Sequence, residues 1–380
     1  MKFDNQLRYA TDIITAYQGE TPLHVWLKDF FRQHKQMGSR DRKTLSSLVY
    51  GFYRLGHAVR ELSIRERILL GAFMVQDQPG ELLDYFRPEW NAQVLRPLEE
   101  KIAFVREMGI DFEPTDIFPW KNELSDDIDH HLFCLSFLRQ PDLFLRIRPG
   151  YEQAVRSRLA GVTHEFIPPF TLRLANGLKI EEFFTPDKEV VVQDYSSQRI
   201  AEYIPPAHKF WDACAASGGK SILVHDLLPG VEITASDIRE SILHNLRQRF
   251  RQAGIINYHS FVADLTRVVP EAKLSFDLIL ADVPCTGSGT WSRTPEELYF
   301  FDPRKILTYS TAQKQIVTNI ADRLAPGAHL VYSTCSVFKK ENEAITAVIR
   351  EQFGLRQELA GNIRGYDQRA DSMFAARFVR

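Results

Sequence analysis

The stretch FDLILADVPCTGSGT, residues 276–290, decides the fold class of this chain. An apolar run is followed by an aspartate, by Pro284-Cys285 and by a glycine-rich turn. A short apolar run bounded by turn residues is typical of a strand that is buried on both faces of a parallel sheet. Four similar runs flank it, KFWDAC (209–214), VEITASD (231–237), NYHSFVAD (257–264) and AHLVYSTC (328–335).

Helical patterns separate these runs, near residues 218–228, 239–253 and 303–325. Strands that alternate with helices predict βαβ units, right-handed crossovers and a mostly parallel sheet. We therefore expect an α/β domain over residues 191–380.

Two other patterns precede this domain. Residues 1–140 have apolar positions at helical spacing and predict an all-α bundle, with Ser39 as an N-cap and Gly109 just past a helix end. Residues 141–190 predict a small α+β domain, in which Asn176-Gly177 is a strong hairpin signal between two extended segments. Three domains suit a chain of 380 residues.

Composition limits the class of protein. The 44% apolar and 25% charged residues are ordinary for a soluble globular chain, and no apolar run approaches the roughly 20 residues that would span a bilayer. The N-terminus has no signal-peptide pattern, so we expect a cytoplasmic protein without membrane contact, acting as a monomer. The four cysteines form no CxxC pair, so neither a disulfide framework nor a metal site is expected.

The net charge of −2 argues weakly against nucleic-acid binding, but its distribution is uneven. Cations outnumber acids in part of the helical region: Arg32, Lys35, Arg40, Arg42, Lys43, Arg54, Arg60, Arg65 and Arg67. These residues predict either a basic face that contacts RNA, for which we select Arg40, Arg42 and Lys43, or an ordinary solvated helix surface.

Acids and thiols follow the predicted strands of the α/β domain. Asp212, Asp237, Asp264 and Asp282 each end a strand, and Cys335 ends the last one. Ligands of open α/β sheets bind at the carboxyl ends of the strands, so these side chains are expected to converge on one rim.

A glycine-rich turn opens the first helix of the domain and predicts close approach of backbone to a ligand. It partly matches the P-loop pattern GxxxxGK[ST], but Cys214 occupies the position of the first glycine. Asp237 lies about 20 residues further on, where a carboxylate commonly accepts from ribose hydroxyls, and Asp264 could meet an adenine edge. The acids disfavour a triphosphate and favour S-adenosylmethionine, whose methylthio group is cationic. The predicted cofactor-binding residues are Cys214, Ala215, Ala216, Ser217, Gly218, Gly219, Lys220, Asp237, Asp264 and Asp282.

The two thiols suit one chemistry in particular. A thiolate that adds to C6 of cytosine makes C5 nucleophilic toward an electrophilic methyl group, after which a proton and the thiol must leave. Cys285 or Cys335 alone is most simply a buried packing residue. Both together, with Asp282 to hold the base, predict this reaction.

On these motifs the chain resembles the NSUN (Sun/Fmu, RsmB-like) RNA cytosine-C5 methyltransferases. The matching motifs are VVQDYSSQRIAEYI (191–204), DACAASGGKS (212–221), ADVPCTGSGTWSRTPE (281–296), LVYSTCSVFKKENE (330–343) and DSMFAARF (371–378). The N-terminal region resembles the NusB-like domain of bacterial members that methylate 16S rRNA. The resemblance implies a NusB-like RNA-binding domain, an RRM-like subdomain and a Rossmann-like class I methyltransferase domain.

The resemblance also implies roles for individual residues. Cys335 would attack C6, Cys285 would release the product, and Asp282 would hydrogen-bond the cytosine. Arg293, which follows the Pro284-Cys285 motif, would contact RNA phosphate. Ser217 replaces the usual proline of the cofactor loop, and RTPEEL (293–298) departs from the family's histidine-proline-aspartate run.

Three rival functions stay open on the sequence alone. The first is the same chemistry on transfer RNA, the second a non-catalytic RNA-binding assembly factor, and the third a P-loop NTPase.

Overall fold

The computed structural model describes residues 2–267 and 275–380. The helices are α1 (Phe3–Ala16), α2 (Leu23–Gln33), α3 (Ser39–Arg54), α4 (Ile64–Val75), α5 (Glu81–Phe86), α6 (Pro88–Asn91), α7 (Leu98–Glu107), α8 (His130–Ser136), α9 (Glu152–Ser157), α10 (Tyr195–Gln198), α11 (Gly219–Leu227), α12 (Glu240–Ala253), α13 (Pro295–Tyr299), α14 (Arg304–Ala321) and α15 (Glu343–Phe353). Short 3₁₀ helices lie at Pro114–Ile117, Lys121–Glu123, Ile180–Glu182, Arg199–Tyr203 and Ser288–Thr290. The strands are β1 (Leu143–Ile147), β2 (His164–Ile167), β3 (Thr171–Leu174), β4 (Val190–Val192), β5 (Lys209–Asp212), β6 (Glu232–Asp237), β7 (Tyr258–Val262), β8 (Phe276–Asp282), β9 (Leu324–Thr334), β10 (Arg356–Ile363) and β11 (Met373–Val379).

A sheet of seven strands carries the candidate site. Its order is β10-β11-β9-β8-β5-β6-β7, and the strands from β9 to β7 run parallel. The expected α/β domain with a mostly parallel sheet is therefore confirmed. Sequence reasoning missed β10 and β11, which pair antiparallel at the β9 edge.

Both faces of this sheet are covered by helices, as the continuous apolar runs predict. Alternate side chains of one strand enter different cores: Trp211 packs with residues of α14 and α15, whereas Phe210 packs with residues of α11 and α12. The same alternation places Ile279 in the first core and Leu278 in the second. This double burial fixes the strand register and hence the position of each strand end.

The smaller sheet is antiparallel, with the order β2-β3-β1-β4. The expected hairpin around Asn176-Gly177 is wrong. β3 ends at Leu174 and pairs with β2, which precedes it, while the residues after Gly177 form a 3₁₀ helix. Asn176 instead donates its side-chain amide to the Pro141 carbonyl at 2.5 Å.

The chain forms two compact units. The first contains the chain up to Asn122 together with Asp129–Gln140 and Thr290–Asp302, and the second contains Glu123–Ile128, Pro141–Gly289 and Pro303–Arg380. The division into domains at 1–140, 141–190 and 191–380 stays a prediction. Among the described residues, no helix has the length and apolar character needed to cross a membrane.

The first unit is helical, as expected, but its cations are not all on the surface. Arg54 and Arg67 are only 3% and 2% exposed. Arg54 donates to the carbonyls of Phe137 and Ser292, both at 2.9 Å, and Arg67 donates to the Gly56 carbonyl at 3.0 Å. These two arginines therefore cap buried backbone and do not belong to an exposed basic face.

Of the two helix-end predictions in this unit, one is confirmed and one is wrong. Gly109 has a φ of +83°, as expected of a residue just past a helix end. The N-cap of α3 is Gly38 rather than Ser39, and no side chain caps that end.

Candidate active site

The candidate site lies in the second unit, at the carboxyl ends of β5, β6, β8 and β9. After β5 the chain turns tightly into α11. Gly218 makes this turn with a φ of +82°, and a Cβ there would lie 2.7 Å from the Phe250 ring. The Ala216 amide donates to Asp237 at 3.1 Å, so the loop is fastened to the end of β6. Ser217 accepts from Arg249 through its hydroxyl at 3.0 Å and its carbonyl at 3.1 Å.

The carboxylates of the rim differ in environment. Burial raises the pKa of Asp212 to about 7, and its Oδ2 accepts from the Ser221 hydroxyl at 2.6 Å. Asp237 accepts from the amide of Arg239 as well as from Ala216. Asp264 is more exposed, and the hydroxyl of Thr266 holds its pKa below the usual value. Asp212 and Asp264 therefore differ in pKa and in exposure to solvent.

Lys220 and Asp282 form an ion pair in the centre of the site. The Lys220 Nζ lies 2.7 Å from the Asp282 Oδ2, and the Ser333 hydroxyl donates to the other oxygen at 2.7 Å. Burial disfavours the charge of Lys220, but the Asp282 carboxylate outweighs it, so the pKa of Lys220 is raised. A negative charge on Cys335 also raises the pKa of Lys220. Each Asp282 oxygen keeps one lone pair for a further donor.

The two predicted cysteines meet although fifty positions separate them in the chain. The Sγ of Cys285 lies 3.2 Å from the Sγ of Cys335. The hydrogen bond to Cys335, followed by burial, raises the pKa of Cys285 well above its usual value. The raised pKa favours the protonated form of Cys285, and either sulfur can be the donor in this contact.

A buried carboxylate that sequence reasoning did not select lies behind the cysteines. Glu341 has no exposed surface and accepts from the amide and hydroxyl of Thr286, at 2.9 and 2.6 Å. It also accepts from the hydroxyl of Ser336 and from Gln313, the latter at 3.2 Å. Burial raises its pKa, an effect that the hydrogen bonds from Ser336 and Thr286 oppose.

Signals for these supporting residues exist in the sequence only in part. Ser333 precedes Cys335 by two positions, so the two side chains share a side of the strand. Glu341 follows two lysines and precedes Asn342, a composition typical of a solvated turn. Its place in the motif LVYSTCSVFKKENE (330–343) is a signal for it, but composition does not separate it from exposed Glu residues.

The cations selected for RNA contact all belong to the first unit. Arg40 is exposed and pairs with Glu81 at 3.1 Å, and Lys43 is exposed. Arg42 is half-buried and donates to the Met37 carbonyl at 3.0 Å. Arg293 lies in Thr290–Asp302, where its amide donates to the Thr290 carbonyl at 2.9 Å. The motif at 281–296 is thus divided between the units after Gly289.

Known proteins resemble this chain in sequence and in fold. Residues 204–364 match the family model described as 16S rRNA methyltransferase RsmB/F. Ribosomal RNA small subunit methyltransferase B of Proteus mirabilis is 34% identical over 158 residues, 40% of this chain and 37% of that protein. The probable methyltransferase B of Bacillus subtilis is 30% identical over 194 residues, 50% and 43% of the respective chains.

The match to these relatives is partial. This chain spans less than half of the length of either relative. Among solved structures, that of PH0851 has a TM-score of 0.70 and covers 99% of this chain and 98% of its own at 18% identity. At that identity the likeness shows a shared fold.

Proposed function

We propose that this chain, whose residues 204–364 form a methyltransferase domain of the RsmB/F family, methylates C5 of a cytosine in ribosomal RNA. The proposed target is 16S rRNA, the methyl donor is S-adenosylmethionine, and the reaction passes through a covalent Cys335 adduct. The observation that carries the proposal is the 3.2 Å contact between the thiols of Cys285 and Cys335, beside the Asp282–Lys220 pair.

The proposed reaction assigns one task to each group of the site. The Cys335 sulfur forms a bond to C6, and C5 then takes the methyl group. The remaining lone pairs of Asp282 accept from the amino group of the base, and from N3 once that nitrogen is protonated during the addition. A base then takes the C5 proton as the bond between sulfur and C6 breaks, which restores the aromatic ring and the Cys335 thiolate, with Cys285 as the group that assists release. Cys335 is assigned as the attacking sulfur from its position in the motif LVYSTCSVFKKENE (330–343), and the raised pKa of Cys285 suits a thiol that keeps its proton.

The donor set at the strand ends fits S-adenosylmethionine better than a nucleoside triphosphate. The donor supplies an electrophilic methyl on a cationic sulfur, and the carboxylates of Asp212, Asp237 and Asp264 suit that charge and the ribose hydroxyls. A P-loop needs its lysine to reach phosphate. Here Lys220 is engaged by Asp282 at 2.7 Å, which argues against the NTPase alternative.

The first unit supplies a candidate surface for RNA. A cavity of about 470 Å³ is lined by His24, Leu27, Lys28, Phe31, Arg32, Arg42, Ser46 and Tyr50. Cations beside aromatic rings suit a nucleotide, which offers a phosphate and a stacking face. Of the three cations selected from the sequence, Arg42 lines this cavity. We propose RNA contact there and retain Arg40, Lys43 and Arg293 as further candidates.

The function is tested by bisulfite sequencing of total RNA from a strain that lacks this protein. We expect one or more protected cytosines in 16S rRNA to become convertible, and the wild-type gene to restore protection. Cys335→Ala should not restore it, because the attacking sulfur is missing, while affinity for S-adenosylmethionine stays within about threefold, the range of context effects at a distant group.

Each outcome has a clear meaning. If cytosines become convertible in transfer RNA but not in rRNA, the substrate is transfer RNA. If no cytosine changes in any RNA, the proposed activity is rejected. Restoration by Cys335→Ala would reject the nucleophile assignment. Thermal stabilisation by ATP without any by S-adenosylmethionine would favour the NTPase.

A further inference from the structure

Glu341 connects the two loops that carry the thiols. Thr286 follows Cys285 and Ser336 follows Cys335, and both donate their hydroxyls to the Glu341 Oε2. The Thr286 amide adds a bond of 2.9 Å to the other oxygen. One carboxylate therefore bonds to the residue directly after each cysteine.

A helix completes the connection. Gln313 of α14 donates its side-chain amide to Glu341 at 3.2 Å and to the Pro284 carbonyl at 2.9 Å. Pro284 precedes Cys285, so the first loop is held on both sides of its thiol. Gln313 is fully buried in the helix face, and α14 packs on the sheet through Ile316, Val317 and Ile320. Gln313 thus anchors the loops to a helix that is packed in the core.

A buried carboxylate suits this task better than a neutral side chain. It accepts hydrogen bonds at about four sites and donates none, which matches the four donors that face Glu341. Burying a charge is costly unless it is paired or hydrogen-bonded. Because these four donors belong to the two loops and to Gln313, the stabilisation of the carboxylate depends on both loops being in place.

We propose that Glu341 is a positioning residue of the two-thiol centre, which holds the Cys285 loop and the Cys335 loop at the separation that their reaction needs. This inference rests on the proposed function for its catalytic meaning. Both cysteines must reach the same base, one to add at C6 and the other to assist release, and a misplacement of about 1 Å can lower a rate roughly 10²-fold.

The separation of the thiols can be measured without RNA. Diamide oxidises two adjacent thiols to a disulfide and is itself reduced to the hydrazine, taking up both protons and both electrons. The rate of loss of free Cys285 and Cys335 thiols, followed by alkylation and peptide mass analysis, reports how often the sulfurs meet. The variants compared are Glu341→Ala, Glu341→Gln and Thr286→Val, with Glu343→Gln as the matched control.

Glu343 is a matched control because it is partly buried and lies close to Glu341 in the chain. Glu343 lies two residues further on, its pKa is also raised by burial, and its carboxylate accepts from Ser125 at 3.0 Å rather than from Thr286, Ser336 or Gln313. Substitution of Glu343 should leave the oxidation rate and methyl transfer at the wild-type level. Glu341→Gln should stay within about threefold for oxidation, because the hydroxyls of Thr286 and Ser336 can rotate to accept from the new amide.

The expected results follow from the Glu341 clamp, by which we mean the hydrogen bonds that join Glu341 to Thr286, Gln313 and Ser336. Glu341→Ala should slow thiol oxidation at least about tenfold and lower kcat about 10²-fold, with KM and affinity for S-adenosylmethionine within a few-fold. If Glu341→Ala does not fold, Thr286→Val decides the test, since it removes one donor and should slow oxidation several-fold. Oxidation at the wild-type rate in a folded Glu341→Ala protein, or in Thr286→Val where that variant decides, overturns the proposal.

Failure of the proposal is separable from failure of the function. If the wild-type chain methylates no RNA but Glu341→Ala slows thiol oxidation, the clamp stands and the methyltransferase assignment falls. If the wild-type chain methylates rRNA and Glu341→Ala does so with unchanged kcat, the clamp falls and the function stands.

Discussion

Gly289→Ala is the substitution whose effect on this site can be worked most directly from the structure. Gly289 is buried beyond the Cys285 loop, and its amide donates to the Cys335 carbonyl at 2.8 Å. Its own carbonyl accepts from the Ser372 amide at 2.8 Å, at the start of β11. A single residue without a side chain thus joins the segment after Cys285 to the Cys335 loop and to the residue before β11.

An added methyl group has no room there. A Cβ on Gly289 would lie 2.8 Å from the carbonyl carbon of Ser372, nearer still to its oxygen, and 3.0 Å from the carbonyl oxygen of Cys335. All these atoms are backbone, and ordinary contact begins at 3.4 Å, so the backbone segments at Gly289, Cys335 and Ser372 must separate. Overpacking of this kind costs about 1–3 kcal/mol, and weakening the two hydrogen bonds adds about 0.5 kcal/mol each.

We therefore expect Gly289→Ala to lower the free energy of unfolding by about 2–4 kcal/mol. Methyl transfer should fall about 10²-fold, because the thiols move by roughly 1 Å relative to one another. Thermal unfolding followed by circular dichroism, together with transfer of labelled methyl to rRNA, measures both. The melting temperature should drop by at least about 4 °C, at roughly 2 °C for each kcal/mol.

Gly361→Ala is the matched control. Gly361 lies in β10, and a Cβ there meets nothing within 4 Å. Its substitution should change stability by no more than about 0.5 kcal/mol and leave transfer unchanged. A Gly289→Ala protein that melts and methylates like the control would refute the account of how the two loops are held.

Two further predictions concern product release and acid stability. Cys285→Ala should accumulate a denaturation-resistant adduct between protein and RNA, and a gel without any shifted species would mean that Cys285 does not release the product. Burial lowers the pKa of His57 from 6.5 to about 4, so below pH 6.5 the unfolded chain binds a proton that the folded chain does not, and stability should fall as the pH drops toward 4. His57→Gln should reduce that loss between pH 7 and pH 5 in thermal melts, and an unchanged dependence would contradict the assignment.

The sequence predicted the sheet well because its strands are buried on both faces. Such strands read as continuous apolar runs, and their parallel order brings the residues that follow them to one edge. The proximity of Cys285 and Cys335 follows from that rule together with the strand order, which places β8 beside β9. The edge strands were harder, because RQELAGNI (356–363) has the polar composition of an exposed strand and no strong alternation.

Local signals failed where tertiary pairing decided the outcome. Asn176-Gly177 is a strong hairpin dipeptide, yet Thr171–Leu174 pairs with a strand that precedes it and leaves the residues after Gly177 without a partner strand. Two cations of the first unit are a similar case. Arg54 and Arg67 count as positive charges in the sequence, but they are buried as donors to backbone carbonyls.

Glu341 marks the limit of sequence reasoning at the site itself. A glutamate between lysine and asparagine is almost always solvated, and its burial in this fold depends on four donors that come from three separate parts of the chain. Only the fold brings Thr286, Gln313 and Ser336 together, so neither composition nor spacing can identify the carboxylate that they surround. The thiols were found because cysteine is rare and each follows a strand directly. The residue that sets the distance between them is common in type, and its role appears only once the two loops are seen to share it.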